Sequence, residues 1–301
     1  MDNVDKQNGN IAFSESSHTY WDVNTGNKYI SVTTLIHKFA QEFDKDFWSK
    51  YKALEKLLPK EVWNAEKKSL LSSKRINLEL LEIYNISEND FNKTQQEILD
   101  EWDEKNRQAC ERGTKIHSEL ENSFYKKPKD ISLQKYGLGG KFECRKNNYS
   151  LDLEFGIYPE FLIYYSSKDE ELQIAGQVDL IVKSGNEITI IDYKTNQKID
   201  QKSAYNTSTK TSIKMQYPLN NLDDCNFNHY QMQLSTYAWM LQKLNPDFII
   251  KELIIDHFDH SDNETIYKCQ YLKKEVERML YHHKKQVAIN KERDKRKPIE
   301  Y

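Results

Sequence analysis

Cysteine is sparse in this sequence. The four present, Cys110, Cys144, Cys225 and Cys269, lie far apart and never form a CxxC pair. A zinc ribbon or an iron–sulfur cluster usually needs at least one close pair, so neither is expected, and free thiols in a reducing compartment are. Apolar runs are short, and none approaches the roughly 20 residues of a membrane span. The opening MDNVDKQNGNIAF lacks the basic flank and apolar heart of a signal peptide. A soluble, cytoplasmic protein is the expectation. No charge dominates either: 44 basic residues face 47 acidic ones, for a net −3. That excludes a strongly basic protein that coats nucleic acid; such a partner would need local basic patches or bound cations. Glycine is scarce, at 9 residues, beside plentiful Lys, Asn, Ile and Tyr, a bias that AT-rich coding DNA produces. Internal repeats, long low-complexity tracts and any sign of a helix–turn–helix or zinc finger are also missing.

What is present is enough to fold. With 301 residues, 38% hydrophobic and 12% aromatic, the chain stands clear of the disordered class. It can bury a sizeable core as one large domain or two modest ones. The segment HTYWDVNTGNKY predicts a hairpin turning at Asn24, Thr25 and Gly26. Next, ISVTTLIHKFAQEF runs into a helix with Ser31 or Thr33 as its N-cap. From Phe47 to about Ile86 the pattern is helical and heavily charged, so residues 1–94 are set apart as a hairpin and helical subregion. Its Trp48, Tyr51 and Trp63 are either that subregion's core or platforms for stacking.

Residues 95–301 make the second part. Ile98, Trp102, Ala109, Ile116, Leu120 and Phe124 keep a helical period, with a kink or break expected at Gly113. Strands take over from Leu151 to Thr195, and a long polar stretch fills 200–229. Then YQMQLSTYAWMLQKL predicts an amphipathic helix, FIIKELIIDHFDH a strand, and Tyr271 onward a helix ending in the basic run NKERDKRKP.

The stretch GQVDLIVKSGNEITIIDYKTN, residues 176–196, alternates, turns at Ser-Gly-Asn and alternates again. A two-residue loop at Gly185-Asn186 sets Ser184 opposite Glu187. Counting outward brings Asp179 opposite Asp192, with Lys194 on the same face. A one-residue slip would undo this. Two carboxylates in an apolar sheet repel, and one tends to take up a proton. A bridging Mg²⁺ or Mn²⁺ removes the difficulty, and such a site suits phosphodiester hydrolysis. A surface hairpin with an Asp–Lys salt bridge is the plainer alternative.

These residues resemble the core of the PD-(D/E)xK nucleases, in the RecB-like exonuclease branch. The branch places a histidine on an upstream helix, matched by RGTKIHSELE, an acidic residue on the preceding strand, matched by GIYPEFLIY, and a Q-x-x-x-Y helix downstream, matched by QLSTY. YISVTTLIHKF and DCNFNHYQMQLSTY are similar to segments of phage nucleases and of the mitochondrial genome maintenance exonuclease. The resemblance covers roughly residues 18–260. It implies an α/β fold: a restriction-endonuclease-like core whose mixed central sheet is flanked by helices. It also implies a helical N-terminal subregion that forms an arch over a substrate strand.

By the same resemblance, Asp179 and Asp192 are the metal-binding carboxylates and Lys194 the catalytic lysine. The Tyr193 carbonyl and the His117 imidazole complete the metal ligands, and imidazole suits Mn²⁺ better than Mg²⁺. Glu160 is a further catalytic carboxylate that binds metal through water or holds Lys194. The resemblance also implies that Gln233 and Tyr237 support the site or touch the nucleic acid; Glu121, one helix turn after His117, and Lys198, in the polar loop, are candidates for nucleic-acid contact by position alone. Lys202, Lys210 and Lys214 in the polar loop, and Lys291, Arg293, Lys295, Arg296 and Lys297 in the tail, are candidate phosphate contacts. Some members of the branch hold an iron–sulfur cluster through a close cysteine group; Cys269 stands alone, and no cluster is expected. The implied activity is a Mg²⁺- or Mn²⁺-dependent DNA exonuclease acting on ends in replication, recombination or repair, in the cytoplasm of a phage-infected bacterium. A structure-specific endonuclease and a catalytically silent DNA-binding protein are the alternatives.

Overall fold

The computed structural model describes residues 4–145, 153–206 and 210–295. The chain opens with β1 (Lys6–Asn8), β2 (Ile11–Ser14), β3 (Thr19–Asp22) and β4 (Lys28–Ser31), then α1 (Val32–His37). Four helices follow: α2 (Lys45–Leu57), α3 (Lys60–Ser73), α4 (Glu79–Ile83) and the 39-residue α5 (Glu88–Lys126). After them come β5 (Ile131–Leu133), β6 (Leu138–Phe142), β7 (Gly156–Ser166), β8 (Gln173–Ser184) and β9 (Glu187–Lys194). The short β10 (Tyr205–Asn206) and β11 (Thr211–Ser212) precede α6 (Asn226–Leu244), β12 (Ile249–Phe258), β13 (Glu264–Cys269) and α7 (Lys273–Lys295).

Local chemistry sets several of these boundaries. Gly26 takes a positive φ at the β3–β4 turn and Gly185 at the β8–β9 turn, a conformation cheap only for glycine. The Ser31 hydroxyl accepts from the Thr34 N–H and caps α1, and the Asp44 carboxylate does the same for α2 through Phe47. Gly113 does not break its helix: α5 runs on through it. A single glycine costs about 1 kcal/mol in a helix, too little to interrupt one this long.

The chain divides into two compact units, 42–114 and 1–41 with 115–301. The division therefore falls at 41/42 and 114/115 rather than at 94/95. The cause is pairing: β4 runs parallel to β8 through Ile30↔Ile174 and Ser31↔Ala175, which ties the N-terminal strands to the main sheet. In the smaller unit, Phe47, Tyr51, Leu54, Trp63, Leu70, Phe91 and Ile98 pack into one core. Tyr51 meets Trp63 edge-on at 4.6 Å between ring centroids. Tyr51 and Trp63 are thus core side chains, each 7% exposed, with Trp48 packed against them.

In the larger unit, a mixed sheet follows the order β1-β2-β3-β4-β8-β9-β12-β13, with β7 antiparallel to β8. Neighbours are antiparallel except β4 with β8 and β9 with β12. One face carries α1, α6 and α7 around Val178, Ile188, Ile190, Met232, Leu234 and Met279. The other is covered by Leu120 and Phe124 of α5, by β5 and β6, and by Tyr136. Residues 231–241 of α6 are buried on every side, so it is a core helix and not an amphipathic one. Its polar groups are satisfied locally: Gln231 accepts from the Gln270 N–H at 2.9 Å, and Ser235 accepts from that of Leu272 at 3.0 Å.

Candidate active site

The β8–β9 ladder runs from Ser184↔Glu187 to Leu180↔Ile191, so the next step places Asp179 across from Asp192. There the ladder ends, and the Asp179 carboxylate accepts the Tyr193 N–H at 2.7 Å in place of a backbone partner. Glu160 sits on β7 between the pairs Pro159↔Leu180 and Phe161↔Val178, hence beside Asp179 on the other flank. Its φ of 50° is left-handed, a conformation that costs a glutamate energy and tends to cluster at functional sites. The last turns of α5 bring His117 over the strands. Its Nδ1 lies 3.6 Å from Asp179 and 3.9 Å from Glu160, and its Nε2 is 3.1 Å from the Tyr193 carbonyl.

Electrostatics follow from burial. Asp179 is raised well above the usual carboxylate range, first by burial and then by Asp192, although the Tyr193 N–H and Lys194 pull it down. Glu160 is raised to about 7 by burial and by Asp179. Burial and the Lys194 charge depress His117, so its approach to the carboxylates is that of a neutral imidazole rather than an ion pair. Burial works against the Lys194 ammonium, but Asp192 and Asp179 more than offset it. Its Nζ lies 2.5 Å from Asp192 and over the Tyr230 ring at 4.8 Å.

His117, Glu160 and Asp179 offer ligand atoms that all lie within 4.8 Å of one another. Two buried carboxylates with raised affinity for protons, beside a neutral imidazole, form a donor set that a divalent cation would satisfy. The expected set named Asp192 and not Glu160. In this arrangement Asp192 is held by Lys194 and by Gln233, whose Nε2 donates to it at 3.2 Å.

The remaining candidates fall into place around this centre. Gln233 also donates to the Tyr237 hydroxyl at 3.2 Å. The two are 8% and 3% exposed, so they present little surface to a nucleic-acid strand; Gln233 instead holds Asp192 directly, and Tyr237 touches it only through Gln233. Glu121, one turn along α5 from His117, is half-buried and adds negative field at Glu160. Lys198 lies outside the cluster, exposed and paired with Asp200 at 2.9 Å. Lys214 is tied to Asp223; Lys202, Lys210, Lys291 and Arg293 are exposed. Arg296 and Lys297 lie outside the described residues, as does the side chain of Lys295.

Two features escape sequence reasoning. Lys6 on β1 reaches Glu160 at 3.3 Å, and nothing in VDKQN separates it from the many surface lysines. Beneath the site, Asp256, fully buried and next to Tyr193 in the β9–β12 register, accepts from Tyr136 at 2.6 Å and from Lys135 at 2.9 Å. A third feature explains the first letter of GQVD. A Cβ on Gly176 would come within 2.5 Å of the Tyr237 ring, and that ring is boxed in. Gly176→Ala is therefore expected to destabilise the fold by about 1–3 kcal/mol, read as a lower midpoint in urea. An unchanged midpoint would show that the ring can move aside.

The mixed sheet with helices on both faces, bearing carboxylates on neighbouring strands, is a restriction-endonuclease-like α/β fold. The model of the PD-(D/E)XK nuclease superfamily matches residues 28–295, and the chain belongs to that superfamily. Its members use divalent metal ions. Among solved structures, a Eubacterium rectale protein provisionally described as an exonuclease aligns over 87% of this chain and 79% of its own, at 12% identity and a TM-score of 0.33. The protein SSO0001 aligns over 44% of this chain at 15% identity and a TM-score of 0.26, and that alignment spans only 50% of SSO0001. A search of curated proteins finds no match.

Proposed function

We propose that this chain is a Mg²⁺- or Mn²⁺-dependent deoxyribonuclease that works as an exonuclease, degrading DNA from single-stranded ends in phage replication, recombination or repair. The observation that carries this reading is the convergence of His117, Glu160 and Asp179 beside the Asp192–Lys194 pair. His117, Glu160 and Asp179 would hold the ion, and Asp192, paired with Lys194 beside them, would be a further ligand. A divalent cation there supplies Lewis acidity toward a phosphoryl oxygen and a more acidic water. The imidazole in the set favours Mn²⁺.

The protein's own groups have separate tasks. Lys194, kept as an ammonium, stabilises the negative charge that grows on the phosphoryl oxygens. Gln233 fixes the Asp192 carboxylate through one oxygen, leaving the other for Lys194. Tyr193 and its strand are anchored from below by the Asp256–Tyr136 layer, which keeps the carbonyl that faces His117 in place.

End-labelled linear and circular single-stranded DNA, each with Mn²⁺, Mg²⁺ or EDTA, test the proposal. Linear DNA should be degraded with either metal, circular DNA left whole, and both left whole in EDTA. Opening of the circle would make the enzyme an endonuclease, and cleavage in EDTA would remove the metal from the mechanism. Asp192→Asn should abolish degradation of the linear strand.

A further inference from the structure

Outside the catalytic cluster, α7 and the 217–220 loop enclose an open groove of about 490 Å³. That lies in the range of small-molecule clefts, roughly 300–1,000 Å³. Two large rings stand in it and face solvent: Tyr217 is 71% exposed and Tyr281 64%. Large rings grouped on one exposed surface mark an interaction site, whereas singly scattered ones need no explanation. His282 also lines it, edge-on to Tyr217 at 5.5 Å, and Ile289 extends the apolar floor. Among the described residues, the charged lining consists of Arg278 and Lys285, with no carboxylate, in a chain whose acidic residues outnumber its basic ones, 47 to 44.

We infer that this groove binds a single-stranded segment of nucleic acid, with bases stacked on Tyr217 and Tyr281 and the backbone drawn by Lys285 and Arg278. The inference rests on the nuclease reading above. Aromatic faces serve a strand without reading its sequence, since every base has a π-face. The cations here are few and one is partly engaged: Arg278 donates to Asn221 at 2.8 Å and to Glu275 at 3.1 Å. Lys285 lies over the Tyr281 ring, 5.2 Å from its centre, so it must swing off that face, toward a phosphate, when a base arrives. Stacking therefore dominates over charge. With about two phosphates neutralised, the slope of log affinity against log salt should be shallow, roughly −1.4 for a single strand.

The test uses the full chain carrying Asp192→Asn, so that no strand is cut, with fluorescein-labelled oligothymidylate followed by anisotropy. Adding Tyr217→Ala and Tyr281→Ala should raise Kd at least about tenfold. Tyr217→Phe with Tyr281→Phe should leave it nearly unchanged, because the rings remain. Photocrosslinking with an oligonucleotide carrying 5-iodouracil should map to one of the two tyrosines. An unchanged Kd in the double alanine variant, or an equal loss in the phenylalanine variant, overturns the groove while leaving the nuclease reading intact. Failure of the Asp192→Asn parent to bind any oligonucleotide overturns both. Neither tyrosine supports the core, so the melting temperature should not move.

Discussion

Replacing Lys194 by alanine should cut kcat by about 10²–10³-fold while Mn²⁺ binds at least as tightly as before. The first half follows from the task of the ammonium: removing one positioned donor to developing charge typically costs that much. The second half comes from the structure. Lys194 lies 2.5 Å from Asp192, which is 1% exposed, so ammonium and cation compete for one buried carboxylate. Deleting the lysine removes the competitor. It also strands a buried charge, and losing one partner of such a pair costs on the order of 3–5 kcal/mol, so the metal-free variant should melt well below the parent. Added Mn²⁺ should restore more of its stability than it gives the parent. Single-turnover rates, titration calorimetry with Mn²⁺ and melting curves with and without EDTA read the three effects separately. Weaker Mn²⁺ binding by the variant would mean that Lys194 supports the metal site, and the division of roles would be wrong.

That prediction was within reach of the sequence because a hairpin register is local. Period-two alternation and the Ser-Gly-Asn turn suffice to pair Ser184 with Glu187, and two aspartates then meet by counting. His117 and Glu160 needed the family resemblance, since no local rule brings a helix or a second flank to Asp179. Other parts are invisible to local patterns for stated physical reasons. The parallel pairing of β4 with β8 is long-range, so the N-terminal strands could not be assigned to the main sheet, and the boundary at 94 followed composition instead. The burial of α6 on all sides mixes Gln231, Gln233, Ser235 and Thr236 among apolar residues, and those polar side chains imitate a solvent-facing stripe until their partners are seen. Lys6 and Asp256 act through contacts with residues more than a hundred positions away.

Glu160→Gln should abolish a loss of stability that the metal-free protein suffers as pH rises toward neutrality. Glu160 is held at about 7 instead of its usual 4.5, chiefly by burial and next by Asp179. The folded state therefore keeps a proton that the unfolded chain releases, and between those two values it binds more protons than the unfolded chain does. Stability must then fall as pH rises through that window. The contribution is fully present below about 4.5 and gone above about 7. At 1.36 kcal/mol per pH unit the total is roughly 3 kcal/mol. Glutamine does not titrate, so the variant loses this dependence and keeps only a constant offset from its altered contact with Lys6. Urea denaturation of both proteins in EDTA, at pH 5, 6, 7 and 8, should show the variant gaining on the parent up to neutrality and level thereafter. Saturating Mn²⁺ should close the gap in the parent above neutrality, since a cation bound only by the folded state at a hundred times its Kd contributes about 2.7 kcal/mol. A difference between the proteins that stays flat across the series would show that Glu160 is ionised throughout, and would leave the cluster without the buried repulsion that makes a cation welcome there.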